Sequence, residues 1–274
     1  MFVSTRSGLP QLYSMNEDGS GQVALGEGGG NQLFPAWSPD GATVVYVLVS
    51  QGTAGPNLDL HVVSAEGDRS LTSDGQLDGS PAWSPDGNLI AFESAATDLP
   101  RIAVMDSAGG EVTFLTLDGA AAFQPAWSPD GFRIAFALRD PGCEGDVFEC
   151  PQHLWVMDTD GSNAEQLTFG KAHDGEPEWS PDGAFIAYSS NADGGDFDLW
   201  VMPASGGDAK RLTSAEGLDV NAAWSPDGTR IAFTSTRDGD EEIYLMNADG
   251  SDQQNLSDAP GSREVSPSWR PPGT

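Results

Sequence analysis

Trp224-Ser225-Pro226-Asp227-Gly228, with Ile231-Ala232-Phe233 shortly after it, is the stretch that decides the fold, because the chain keeps returning to it. Copies begin at Trp37, Trp83, Trp127 and Trp179. A worn copy begins at Trp269, where Arg270, Pro271, Pro272 and Gly273 replace Ser-Pro-Asp-Gly. Successive tryptophans lie 46, 44, 52, 45 and 45 residues apart. Six copies at a near-constant period, spread over 274 residues, predict one repeat architecture rather than two unrelated domains.

Outward from Trp224 the unit reads as four short strands. Asn221–Ser225 is the first, and Pro226-Asp227-Gly228 turns it: proline presets φ, aspartate bonds its own backbone, and glycine accepts φ > 0. Arg230–Ser235 is the second, Glu242–Met246 the third, and Gln254–Ser257 the fourth after the turn Asn247–Ser251. Four strands per ~45 residues form the blade of a β-propeller. The aspartate of each Ser-Pro-Asp-Gly turn, and the Asp160-Gly161 and Asp249-Gly250 runs, are then turn formers rather than calcium-loop ligands.

Residues 1–27 supply a second, third and fourth strand without a first, whereas Ser266–Trp269 supplies a first strand alone. The expected fold is therefore all-β: a six-bladed β-propeller of four antiparallel strands per blade, closed when the C-terminal inner strand joins the N-terminal strands. Blades are placed at 30–73, 76–117, 120–169, 172–214 and 217–258, with a composite blade from 1–27 and 264–274.

Composition limits the partners. Twelve Lys and Arg against 42 Asp and Glu give a formal charge of −30, which repels phosphate backbones and anionic lipid and favours cations and basic partners. Nucleic acid is excluded on that ground. No apolar run approaches the ~20 residues that span a bilayer, so no membrane insertion is expected. Met1–Arg6 reads like the middle of a repeat, which suggests a leader already removed. Both cysteines, Cys143 and Cys150, fall in the one enlarged loop; without Cys-x-x-Cys spacing they read as a loop-closing disulfide, pointing to an oxidising compartment.

Units of the form Pro125-Ala-Trp-Ser-Pro-Asp-Gly131, then Ile-Ala-Phe, Leu154-Trp-Val-Met-Asp-Thr-Asp-Gly-Ser162 and Leu-Thr, resemble the WD40-like repeats of TolB-type β-propellers over essentially residues 1–274. That family includes a periplasmic protein of the Tol cell-envelope system, which binds envelope proteins around its central tunnel, and propellers attached to serine peptidases. The resemblance implies a propeller that works in the periplasm or after secretion.

No nucleophile elbow, phosphate loop or zinc-protease pair occurs in the sequence. His61 fills a slot taken elsewhere by Trp155, Trp200 and Tyr244 and is expected to pack in a strand, and His153 starts a strand beside the cysteine loop. His173, just ahead of a first strand, is the histidine able to face the tunnel. Aligned on the tryptophans, the position five residues upstream reads Gln32, Asp78, Ala122, Asp174, Asp219 and Glu264, and three residues upstream Phe34, Ser80, Gln124, Glu176, Asn221 and Ser266. Residues entering the innermost strand are expected to ring the tunnel mouth, so Gln32, Asp78, His173, Asp174, Glu176, Asp219, Asn221 and Glu264 form the candidate site. The expected function is non-catalytic binding of a protein or small molecule, cationic or basic, by a monomer that requires no cofactor. Two alternatives stay open: a calcium site built from Asp78, Asp174, Asp219 and Glu264, and an enzyme acting on sugars or peptides through tunnel carboxylates.

Overall fold

The computed structural model describes residues 1–25, 30–52, 55–73, 75–95, 99–116, 119, 121–141, 143 and 150–272. Blade limits placed at 27, 117, 120 and 274, Gly273 of the worn repeat and most of the loop between the cysteines lie outside these residues.

Six four-stranded antiparallel sheets follow one another around an axis. Blade 1 begins with the inner strand Asn31–Trp37, blade 2 with Asp78–Trp83, blade 3 with Ala122–Trp127, blade 4 with Asp174–Trp179 and blade 5 with Asp219–Trp224. Blade 6 is composite: Glu264–Val265 pairs with Phe2–Ser4, which leads to Gln11–Ser14 and Val23–Ala24. Past Val265 the closure continues through reciprocal bonds, Met1 N to Ser268 O and Ser268 N to Met1 O, both 2.8 Å.

The Ser-Pro-Asp-Gly turn is built as its residue types require. Ser225 Oγ donates to Asp227 Oδ1 at 2.6 Å and accepts from Arg230 N at 3.0 Å, while Thr229 N donates to Asp227 Oδ1 at 3.0 Å. The same pattern holds around Asp40, Asp86, Asp130 and Asp182. These donors stabilise the ionised carboxylate, led by the serine hydroxyl, and lower the pKa of each aspartate, that of Asp227 to about 2. Asp160 and Asp249 likewise accept from the Ser162 and Ser251 N–H groups within their own hairpin turns.

Apolar burial is concentrated between blades, with a separate cluster at each of the six seams; Leu154 and Val156 of blade 3, for example, meet Ile186 and Met202 of blade 4. Strand faces buried on both sides explain why the strands lack a clean polar–apolar alternation. Four of the repeat tryptophans pin neighbouring blades directly. Trp83, Trp127, Trp179 and Trp269 donate Nε1–H to the carbonyls of Ala36, Ala82, Ala126 and Ala223, at 3.0 to 3.2 Å.

Every inner strand contains one irregularity at one place. In blades 1 to 5 the register shifts between the residues four and one before the tryptophan. In all six blades the residue three before it is left-handed, with φ between 45° and 55° at Phe34, Ser80, Gln124, Glu176, Asn221 and Ser266. None of the six is glycine, so each carries a conformational cost of order 1–3 kcal/mol. Bulges of this kind re-aim a side chain, and here they turn these six toward the axis.

Candidate functional site

The tunnel wall is assembled from the inner strands between the left-handed residue and the proline of the turn. The left-handed residues form its upper tier, five prolines and Ala222 the next, then Ala36, Ala82, Ala126, Glu178, Ala223 and Ser268, and then Trp37, Trp83, Trp127, Trp224 and Trp269. The cavity measures about 480 Å³.

The upper tier is held by bonds that pass from blade to blade. Glu93 Oε1 accepts from Gln124 N at 2.8 Å, Gln124 Oε1 from Glu176 N at 3.0 Å, and Glu176 Oε2 from Asn221 N at 2.9 Å. Thr234 Oγ1 accepts from Ser266 N at 3.2 Å. Four of the six strained residues thus have their N–H satisfied by the preceding blade. Glu176 also accepts from Ser189 Oγ and Asn221 Nδ2, both at 2.6 Å. Burial raises the carboxyl of Glu93, against the lowering effect of Ser80 and the Gln124 N–H.

Among the described residues, those five before each tryptophan are not part of this wall, and Asp174 alone of them borders a cavity at the mouth, which corrects the expectation that all of them ring it. Gln32, Asp78, Asp174, Asp219 and Glu264 are at most 6% exposed. Each lies before the bulge, beside the end of its own blade's second strand. Gln32 Oε1 accepts from Leu12 N at 3.1 Å. Glu264 Oε1 accepts from Ser4 Oγ at 2.6 Å and pairs with Arg6 at 3.2 Å. Asp219 pairs with Arg237 at 2.7 Å, and Asp174 accepts from Ser190 Oγ at 2.5 Å. The proposed metal set therefore does not converge: among the described residues no three His, Cys, Asp or Glu side chains are grouped to hold an ion.

Glu176 and Asn221 do face the tunnel, and His173 and Asp174 join Glu176 in a second cavity of about 480 Å³ at the mouth of blade 4. Gln124, Gln152, Asn191 and Ser189 supply its other polar groups, and Phe123, Phe197 and Val220 its apolar wall. Gly175 makes room here, since a Cβ would stand 2.9 Å from Gln124 Oε1. Behind the cavity His153 is 2% exposed, with Nδ1 3.7 Å from Asp174 and Nε2 3.4 Å from Asp140. Cys143 and Cys150 are joined in a disulfide, and Arg139 Nη2 donates to Cys143 O at 3.1 Å. His61 packs in its strand against Tyr46, 5.7 Å between ring centroids, with Nδ1 2.9 Å from Asp68.

Glu178 is the tunnel residue that the upstream positions could not reveal. Burial pushes its carboxyl up to about 7. The signal was nevertheless present one residue before each tryptophan, where the other five copies read Ala36, Ala82, Ala126, Ala223 and Ser268.

Comparison with known proteins agrees with this architecture. Residues 20–149 and 192–274 match the family described as TolB beta propeller domain, more than half of the chain. No curated protein sequence matches significantly. Among solved structures the chain is similar to TolB from Acinetobacter baumannii, with 24% identity over 99% of this chain and 66% of that one and a TM-score of 0.80. It is similar to a putative TolB from Agrobacterium tumefaciens, with 22% identity over 93% of this chain and 89% of that one and a TM-score of 0.76. An oligogalacturonate lyase from Vibrio parahaemolyticus shares 18% identity over 93% of this chain and 73% of that one, with a TM-score of 0.62. These identities speak for the fold alone. From its repeats, its closed six-bladed ring and the family match, the chain belongs to the TolB beta propeller domain family.

Proposed function

We propose that this protein is a non-catalytic binding module that works outside the cytoplasm and takes a protein or small-molecule partner of positive charge at its tunnel mouth. The observation that carries this reading is the cavity at blade 4, which opens beside the tunnel and combines two phenylalanines with converging amides, His173 and the carboxylates of Asp174 and Glu176. A concave, partly apolar site with a few oriented polar groups is the usual form of a ligand pocket. Glu176 already accepts three hydrogen bonds, which suits an anchoring acid better than a proton carrier. The charge of −30 favours a basic partner, and the disulfide accords with an oxidising compartment.

Affinity capture from the extracytoplasmic fraction of the producing cells tests the reading. The wild-type chain should retain a partner that a His173→Ala/Phe197→Ala variant with unchanged melting temperature loses. Equal retention by both proteins would remove the mouth of blade 4 as the site.

A further inference from the structure

Along the tunnel the third tier is alanine or serine in five blades and Glu178 in blade 4. The Glu178 carboxyl has no hydrogen-bond partner among the described residues and is half-buried in a wall of proline, alanine and tryptophan. Ionised, such a group is partly shielded from water and has no counter-charge in the wall, which a cation entering the tunnel would supply.

A second irregularity falls at the same seam. The carbonyl of Glu178 is the acceptor that the repeat provides for the Trp224 indole, as Ala36, Ala82, Ala126 and Ala223 serve the other blades. Trp224 is 9% exposed, yet its Nε1 has no partner. Trp37 also lacks one, but there the carbonyl of Ser268 is taken by the Met1 amine. At Trp224 no such competing donor is found outside the sheet ladder among the described residues. The unpaired indole at the seam that carries the carboxylate is thus a buried donor that native interiors seldom leave.

From this geometry we infer that Glu178 is the seat of a primary alkylammonium group in the tunnel, on the chemistry of a lysine side chain. The inference rests on the binding reading above and names the group recognised. A divalent ion is a poor match, because one carboxylate and a ring of alanines cannot replace its hydration shell. An ammonium on an unbranched stem suits the site, since the stem lies along apolar walls while the head meets a single charge. Depth also agrees. Glu178 lies two residues along the strand from Glu176 at the mouth, about 6 Å, which a four-carbon stem spans.

The other inner strands line the tunnel with Pro, Ala, Ser, Phe, Gln, Asn and Trp, so among the described residues Glu176 is the one other titratable group lining it. Cation binding requires the ionised carboxylate. With the carboxyl at about 7, affinity should be full at pH 8 and fall as the pH drops through 7.

Titration of the intact chain with n-butylammonium, followed by tryptophan fluorescence and calorimetry, tests the inference. At pH 8 binding should saturate, weaken at least tenfold in Glu178→Gln and Glu178→Ala, and weaken similarly in wild type at pH 5.5; n-butanol should not bind. Glu178→Ala restores the residue of the other repeats, so its fold should survive. A capped Ala-Lys-Ala peptide distinguishes the sources: binding places the amine on a partner chain, and failure beside tight n-butylammonium binding places it on a free small molecule. Absence of saturable n-butylammonium binding, or equal binding by Glu178→Ala, overturns the inference. Partner capture by Glu178→Ala alongside such a result would leave the blade 4 mouth standing, so the two failures are separable.

Discussion

Where the inner strand meets the loop after the second strand, blades 5 and 6 carry an arginine and blade 4 carries Ala192. In blade 5 the Arg237 guanidinium pairs with Asp219, donates to Ser235 Oγ at 2.9 Å and Gln253 Oε1 at 2.6 Å, and lies over the Phe233 and Tyr244 rings. Arg6 repeats the arrangement in blade 6 with Glu264, Ser4, Gln22, Phe2 and Tyr13. Blade 4 keeps the acid, the serine and an aromatic pair, Tyr188 beside Trp200. Its guanidinium comes instead from Arg211 on the outer strand and serves Asp193 and Asp198. Asp174 is left with Ser190 and the distant His153, beside an open cavity. A propeller can thus make a site by omission: the corner of blade 4 is left unlocked while those of blades 5 and 6 are closed.

Breaking a closed corner should have the largest effect. Arg237→Ala strands Asp219, 1% exposed, without its counter-charge, and should cost about 3–5 kcal/mol in urea unfolding. A near-neutral result would mean that the arginine does not close the corner. Next comes Glu178→Gln. Because burial holds its folded-state carboxyl at about 7 against an ordinary 4.5, the ionised form is penalised in the fold above pH 7, and the penalty vanishes below about 4.5. The substitution should stabilise by about 1–2 kcal/mol at pH 8 and hardly at pH 4.5, read as the difference between two thermal melts. The turn aspartates have the opposite sign. Their lowered pKa values stabilise the fold above about pH 4, and that contribution should fade as pH falls toward 2.

The indoles provide a finer comparison. Trp179→Phe should cost about 1 kcal/mol beyond any packing change, because its Nε1 bonds Ala126 O. Trp224→Phe should lose nothing on that account, its donor being unpaired already. Equal costs would show that the bond at the other seams has no net value. Smallest in stability, but decisive for the site, is Ala192→Arg. Ala192 N already donates to Ser190 Oγ at 3.1 Å, as Arg237 N does to Ser235 Oγ at 3.3 Å, so the backbone is prepared for the longer side chain. The gain should be below about 1 kcal/mol, while partner binding at the mouth should be lost.

Much of this ring was legible from Trp-Ser-Pro-Asp-Gly, since a turn motif with its own hydrogen bonds fixes where each inner strand ends. The blade count, the four-strand plan and the composite blade all follow from it. The tunnel lining was only partly legible. Counting residues from each tryptophan placed Asp78, Asp219 and Glu264 on the rim, but a bulge inserts one residue and changes which side chains face the axis. Its left-handed residue is Phe, Ser, Gln, Glu, Asn or Ser, a mixture without glycine, so no sequence signature marks it. Glu176 and Asn221 were found because they occupy that residue. Arg6 acts through a corner that joins positions 258 apart in sequence, and Arg237 through partners 16 and 18 positions away.

The ring closure also governs how the chain acquires its structure. Ser4 meets Glu264 across 260 positions, and Met1 meets Ser268 across 267. Loop closure on this scale is entropically expensive and slow relative to local hairpins. A chain emerging N-terminus first can pair strands within blades 1 to 5 in turn, but Phe2–Ser4 waits with one open edge until Glu264–Val265 arrives. During synthesis this early strand is thus finished late, and its unpaired edge is an aggregation risk until then.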